Sequence, residues 1–254
     1  MKVLDLFSGL GGWAEAFRSR DHEVLTLDMD PKFGCDYTAD ILKWKVSELP
    51  DGWIGAEDLF VVASPPCECY SVASISTHWR GGKRAYKPKT VEAIMAIAIV
   101  QRTIQVIWEL EPGRGWMIEN PRGVLRRLNL LNPPDEPPPT IWNCHYGDTS
   151  AKPTDLFFDL PTFIPLPECH NRRVDRTTGE DLHAADCCCH DHEQARRGAK
   201  TGTQGKVGAD RRAKIPFDLA MAVCLAAEAN TGNETGPDPK VQSRSKPVER
   251  LRED

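Results

Sequence analysis

Short apolar runs, each closed by a small, proline or polar residue, recur through the first half of the chain. "KVLDLF" (2–7), "HEVLTLD" (22–28), "LFVVAS" (59–64) and "GWMIEN" (115–120) have strand length. Their near-continuous hydrophobicity predicts strands covered on both faces. Helical stretches lie between them. "WAEAFRSR" (13–20) starts a helix directly after the small-residue turn "SGLGG" (8–12). "PKTVEAIMAIAIVQRTIQVIWEL" (88–110) has helical length, with Pro88 near its start, where proline is tolerated. Strands alternating with helices predict an α/β fold with a mostly parallel, doubly wound sheet. Ligands of such sheets bind beyond the carboxyl ends of the strands.

The pattern changes after Leu131. "NPPDEPPPT" (132–140) is too rich in proline for a helix and reads as a loop, and "YGDTSAKPTDLFFDLPTFIPLP" (146–167) reads as extended and irregular. Residues 168–193 are dense in Cys and His, residues 194–214 are basic and glycine-rich, and "IPFDLAMAVCLAAEA" (215–229) is an apolar helix. The expected organisation is a main α/β domain over 1–163, a small Cys/His-rich and basic segment over 164–214 and a helix over 215–230 that returns to the main domain. The tail, 231–254, has few apolar groups and is expected to be disordered.

Composition narrows the partners. The 254 residues suffice for one sizeable core, and the formal charge of −5 means that any nucleic-acid surface must be local. No run of some 18 apolar residues predicts a membrane span. The first residues read as a strand and turn, not a signal peptide. Nine cysteines in such a chain predict reduced thiols in a cytoplasmic setting, some with metal or catalytic roles.

Three motifs carry chemistry. The turn "DLFSGLGG" (5–12) joins a strand to a helix, where glycines allow close backbone approach and the helix start offers unpaired N–H groups. Asp28 closes the second strand, where an acid can bind ribose hydroxyls, and Asp40 follows at another expected strand end. The turn lacks the spacing and lysine of a nucleoside-triphosphate loop. "ASPPCECYS" (63–71) sets two rigid prolines before Cys67, and "ENPRG" (119–123) ends the fourth strand.

In this order, "DLFSGLGG", "ASPPCECYS" and "ENPRG" resemble the motifs of the C5-cytosine DNA methyltransferases, in a compact, phage-type form. The resemblance covers the first half of the chain, and "RAKIPFDLAMAV" (212–223) is weakly similar to the family's closing helix. It implies a Rossmann-like S-adenosylmethionine-dependent methyltransferase fold. It implies a cofactor site made of Asp5, Phe7, Ser8, Gly9, Gly11, Gly12, Asp28, Met29, Asp40, Ile41 and Pro65. Cys67 becomes the thiolate that adds to carbon 6 of a flipped-out cytosine and makes carbon 5 nucleophilic, and Glu119 the group that holds a proton near ring N3. Pro66, Ser71, Asn120, Pro121 (where the family has Val) and Arg122 are implied to contact the substrate. Cys69 lacks the Pro-Cys pairing that marks Cys67.

The family's Gln-x-Arg-x-Arg strand is missing. "NCHYGDTSAKPTDLFF" (143–158) is similar to its replacement in compact members, with His145 and Lys152 taking over polar contacts; His145 can equally be a packed structural histidine. Cys169, Cys187, Cys189 and His190 are candidate ligands of a structural zinc, with His192 as a further ligand, although no Cys-x-x-Cys pair exists and ordinary thiols with surface histidines remain open. Arg196, Arg197, Lys200 and Gln204, among flexible glycines, suit phosphate and groove contact; a solvated loop is the plain alternative. The expected protein is a monomeric methyltransferase of double-stranded DNA. A tRNA cytosine-5 methyltransferase and an inactive, zinc-stapled DNA-binding protein are the alternatives.

Overall fold

A computed structural model describes residues 1–82, 86–131, 136–166, 208 and 213–231. Seven strands form one sheet: β1 (Lys2–Leu6), β2 (Glu23–Asp28), β3 (Tyr37–Thr38), β4 (Leu59–Ala63), β7 (Trp116–Pro121), β8 (Thr140–Trp142) and β9 (Pro153–Asp159). Their order is β3-β2-β1-β4-β7-β9-β8. The first five in that order run parallel, whereas β9 is antiparallel to both β7 and β8. The sheet is therefore mostly parallel, as expected, and mixed through β9. A minor hairpin pairs β5 (Trp79–Arg80) with β6 (Lys87–Pro88).

The stretch expected to be irregular contains β9, a regular seven-residue strand. The proline-dense segment expected as a loop ends in Thr140, the first residue of β8. "PTDLFFD" conceals its strand character because Leu156 and Phe157 are both buried, one toward each face, so no apolar–polar alternation marks it.

Successive residues of each strand feed two cores. Leu4, Leu6, Val61, Ala63 and Ile118 face one, and Val3, Phe60, Val62 and Met117 face the other. On the first side lies α3 (Val91–Leu110), which follows the short α2 (Ile75–His78). Thr90 caps α3 by accepting the N–H of Ala93 at 3.3 Å, and the left-handed Glu111 followed by Pro112 ends it. Ala93, Ala96, Val100, Thr103, Ile107 and Leu110, spaced three and four apart, lie buried along one seam. By length and composition alone α3 could cross a membrane; its seam packs in the sheet's core, while Val91, Ile94, Met95 and Trp108 are exposed.

On the second side pack α1 (Gly12–Arg18) and α4 (Phe217–Ala229). The contact is close at Gly12, where a Cβ would stand 2.9 Å from the backbone nitrogen of Ile215. The chain leaves β1 for β2 on one side and pairs β1 with β4 on the other, so the sheet's direction of winding reverses beside β1. That crevice is where this architecture binds ligands.

Candidate active site

Every described candidate residue of the three motifs lies at or just beyond the carboxyl edge of the parallel strands. Because β9 runs antiparallel, its start returns to the same edge: Asn120 pairs with Asp155 and Pro121 with Thr154. Lys152, immediately before β9, is thereby delivered next to Glu119, the residue before Asn120 on β7.

The glycine turn is built by its acids. Asp5, fully buried, accepts the Ser8 hydroxyl at 2.7 Å and the Ala14 N–H at 3.3 Å, fastening β1 to the first turn of α1. Its other oxygen has no hydrogen-bond partner. Burial outweighs both hydrogen bonds and pushes the carboxyl up to about 7. Phe7 (φ 62°) and Gly11 (φ 71°) hold left-handed backbone that bends the chain between strand and helix. Asp28 accepts the Gly9 N–H at 3.0 Å and the Asp30 N–H at 2.9 Å, which ties β2 to the turn. Asp40 accepts the Leu42 N–H at 3.0 Å, Met29 is exposed and Ile41 is buried.

An adenosyl cofactor fits these residues. The face of the turn is open at Gly11, exposed Leu10 and Met29 offer apolar surface, and Asp28 and Asp40 retain lone pairs for hydroxyls.

Cys67 lies beyond β4, on a turn whose carbonyl accepts the N–H groups of Tyr70 (2.9 Å) and Ser71 (3.1 Å). Three contacts fix this turn to the end of β7. The Asn120 side-chain NH2 donates to the Pro65 carbonyl at 3.0 Å, the Val124 N–H donates to the Tyr70 carbonyl at 2.9 Å, and Ser71 forms a β-bridge with Gly123. Pro66 and Arg122 are exposed beside it, and Pro121 is partly buried.

Glu119 is 4% exposed and Lys152 is 7% exposed, so both charges sit inside the protein. Their Nζ–Oε1 separation of 3.7 Å is an ion pair too long for a hydrogen bond, and Oε1 has no hydrogen-bond partner. Burial raises the Glu119 carboxyl above its ordinary range, while Lys152 and the Ser64 hydroxyl act in the opposite direction. Burial, then the Glu119 charge, pushes the Cys67 thiol up to about 11, and Lys152 opposes them. Lys152 takes up a φ of 21°, a strained conformation for a residue with a side chain. A partly exposed potential nucleophile thus lies within electrostatic reach of a buried carboxyl with an unmet oxygen and of a buried ammonium.

His145 is partly buried on the turn Asn143–Tyr146. Residues outside the reading also support the site. Trp13 donates its indole N–H to the Ser64 hydroxyl at 3.0 Å, linking α1 to the end of β4. Asp155, 1% exposed, pairs with Arg126 at 3.2 Å and accepts the Thr140 hydroxyl at 2.8 Å behind Glu119. Position at a strand end could have flagged Ser64. Nothing local marks Asp155.

The candidate zinc ligands Cys169, Cys187, Cys189 and His190, and the candidate DNA contacts Arg196, Arg197, Lys200 and Gln204, lie outside the described residues. Among the described residues, the ligand atoms of His22, Cys224 and Glu228 lie within 4.8 Å of one another, at the opposite edge of the sheet. Arg20 grips Glu228 at 2.7 and 2.8 Å and the terminal ammonium of Met1 stands 3.3 Å from His22. Those positive groups oppose a cation there.

The fold is a Rossmann-like α/β domain whose sheet contains one antiparallel strand, β9. No family model matches the chain. It is 25% identical over 233 residues to a probable DNA (cytosine-5)-methyltransferase of Frog virus 3 (isolate Goorha), covering 89% of this chain and 98% of that protein. Among solved structures it is similar to the Entamoeba histolytica methyltransferase EhMeth (13% identity, TM-score 0.43, 62% of this chain and 52% of that one). It is also similar to S. pombe Dnmt2 (12% identity, TM-score 0.37, 62% and 48%). The chain spans about half the length of these structures. In motif order, and over 233 residues, the chain is similar to a probable C5-cytosine methyltransferase.

Proposed function

We propose that the chain is a DNA (cytosine-5)-methyltransferase that acts through a covalent Cys67 adduct on a flipped-out cytosine. The observation that carries this reading is the buried Glu119–Lys152 ion pair, 3.7 Å apart, within electrostatic reach of the Cys67 sulfur at the carboxyl edge of the sheet. S-adenosylmethionine, held by the turn with Asp28 and Asp40, supplies an electrophilic methyl when bound.

The residues of the chain do the rest. The Cys67 thiolate adds to carbon 6, and the electron pair displaced toward N3 is met by a proton from Glu119. Carbon 5 is then electron-rich enough to take the methyl. A base, for which water suffices, takes the carbon-5 proton, the double bond re-forms with expulsion of the thiolate, and the N3 proton returns to Glu119. Asn120 holds the nucleophile loop by its bond to the Pro65 carbonyl. A cytosine stacked in a duplex cannot reach this site, so the base must leave the helix.

Duplex DNA is the proposed partner, bound by a monomer, with affinity from the basic segment 194–214. The compact layout and absent Gln-x-Arg-x-Arg strand agree with phage-type members, and the Cys/His segment with a zinc staple. The test is transfer of a labelled methyl group to duplex DNA and to tRNA, side by side, with bisulfite sequencing of the products. Label at cytosine carbon 5 of DNA, lost in Cys67→Ser, is expected. Transfer to tRNA alone, or to neither, refutes the DNA assignment.

A further inference from the structure

Lys152 adds something that the motifs do not contain: a titratable cation inside the pocket, paired with the carboxyl that must act as a proton donor. With Lys152 as an ammonium, the pocket tolerates one negative charge, and two groups compete for it. If Glu119 is the carboxylate, Cys67 is held as a thiol. If Glu119 is the acid, a thiolate can stand against the ammonium. Both states contain the same number of protons and the same net charge.

Resting on the assignment of Cys67 as the nucleophile, we propose that Cys67 and Glu119 share a single proton, with Lys152 as the fixed countercharge. In the exchange the S–H bond breaks, a carboxyl O–H bond forms on Glu119, and no charge enters or leaves the pocket. It creates together the two species that the reaction needs, a thiolate and a protonated carboxyl. Lys152 is a positioning residue in this scheme, acting through the other two.

Geometry supports the arrangement. Glu119 and Lys152 are both almost fully buried and 3.7 Å apart, and Glu119 Oε1 is not committed to any hydrogen bond. The Cys67 loop is bonded to Asn120, adjacent to Glu119. Glu119 and Lys152 act on the sulfur in opposite directions. The surrounding charges do not replace Lys152. Glu68 on the loop is exposed and negative, Asp155 is engaged by Arg126, and Arg122 is exposed. Such a pair titrates as a unit, so a change at either member moves the other.

The test needs no DNA and no cofactor. Alkylation of Cys67 by iodoacetamide is followed by peptide mass spectrometry from pH 7 to 11.5, in full-length protein carrying Cys69→Ser so that the peptide reports one thiol. Glu119→Gln removes the competitor and is expected to speed alkylation at pH 7 about tenfold or more, a midpoint about one unit lower. Lys152→Met is expected to slow it by about tenfold, and Lys152→Arg to stay within about threefold of the parent. Should Lys152→Met fail to fold, Glu119→Gln and Lys152→Arg decide. A Glu119→Gln midpoint equal to or above the parent's overturns the proposal, as does a Lys152→Arg midpoint shifted upward like that of an uncharged residue. A protein with the expected profile but no methyl transfer keeps the shared proton and loses the proposed function. Methyl transfer with an unmoved profile does the reverse.

Discussion

Substituting Gly123 with alanine tests whether the end of β7 positions the nucleophile. Gly123 is not in the left-handed region, so the argument is one of space. A Cβ placed there would lie 2.1 Å from the Tyr70 carbonyl oxygen and 3.1 Å from its carbon, against backbone that cannot swing aside. Ordinary contact requires the two segments to part by more than an ångström. The Val124 N–H to Tyr70 carbonyl bond (2.9 Å) and the Ser71–Gly123 bridge would then be lost. At about 1 kcal/mol per hydrogen bond, plus about 1–3 kcal/mol for overpacking, Gly123→Ala should cost about 2–4 kcal/mol. Tyr70 and Ser71 both bond to the Cys67 carbonyl, so the sulfur moves with them. A displacement of about 1 Å at a reacting group lowers rates by about a hundredfold. Urea denaturation gives the first quantity and single-turnover methyl transfer the second. Donor affinity should stay within about twofold, because the glycine turn is not touched. A variant with the parent's denaturation midpoint and methyl-transfer rate would refute the reasoning.

Two further predictions concern the site's supports. Asp5, raised from 3.8 to about 7, favours the folded state fully below pH 3.8 and loses that contribution as pH rises toward 7. The unfolding free energy of the parent minus that of Asp5→Asn should therefore fall by about 3 kcal/mol from pH 5 to pH 8, at about 1.4 kcal/mol per unit up to pH 7, and then level off; a difference independent of pH in urea titrations would contradict this. Asn120→Ala removes a buried hydrogen bond and strands the Pro65 carbonyl, at about 1–3 kcal/mol, with methyl transfer lowered; unchanged midpoint and rate would show the bond idle.

Much of this was legible in the chain because the signals are local. β1, β2, β4 and β7 are apolar runs whose ends adjoin the candidate site residues Phe7, Asp28, Pro65 and Asn120. The seam of α3 repeats at helical spacing. Cys67 and Glu119 stand in motifs that resemblance could align. The partnership of Lys152 with Glu119 was not legible, since it depends on β9 turning antiparallel and registering Asn120 against Asp155, 35 positions along. That is a long-range pairing, and a strand buried on both faces gives no alternation to predict it. The support of Asp155 by Arg126 and Thr140 was hidden for the same reason.

The central claim is that the Cys67 sulfur bonds to cytosine carbon 6, and trapping that bond tests it most directly. A cytosine carrying fluorine at carbon 5 has no proton there to lose, so the thiolate cannot be expelled after methyl transfer. Incubation of the protein with duplex DNA containing 5-fluorocytosine and with S-adenosylmethionine should give a denaturation-resistant complex, with the nucleotide mapped to Cys67 by mass spectrometry and none formed by Cys67→Ser. No complex under conditions in which unmodified cytosine is methylated, or one mapped to another residue, would contradict the account.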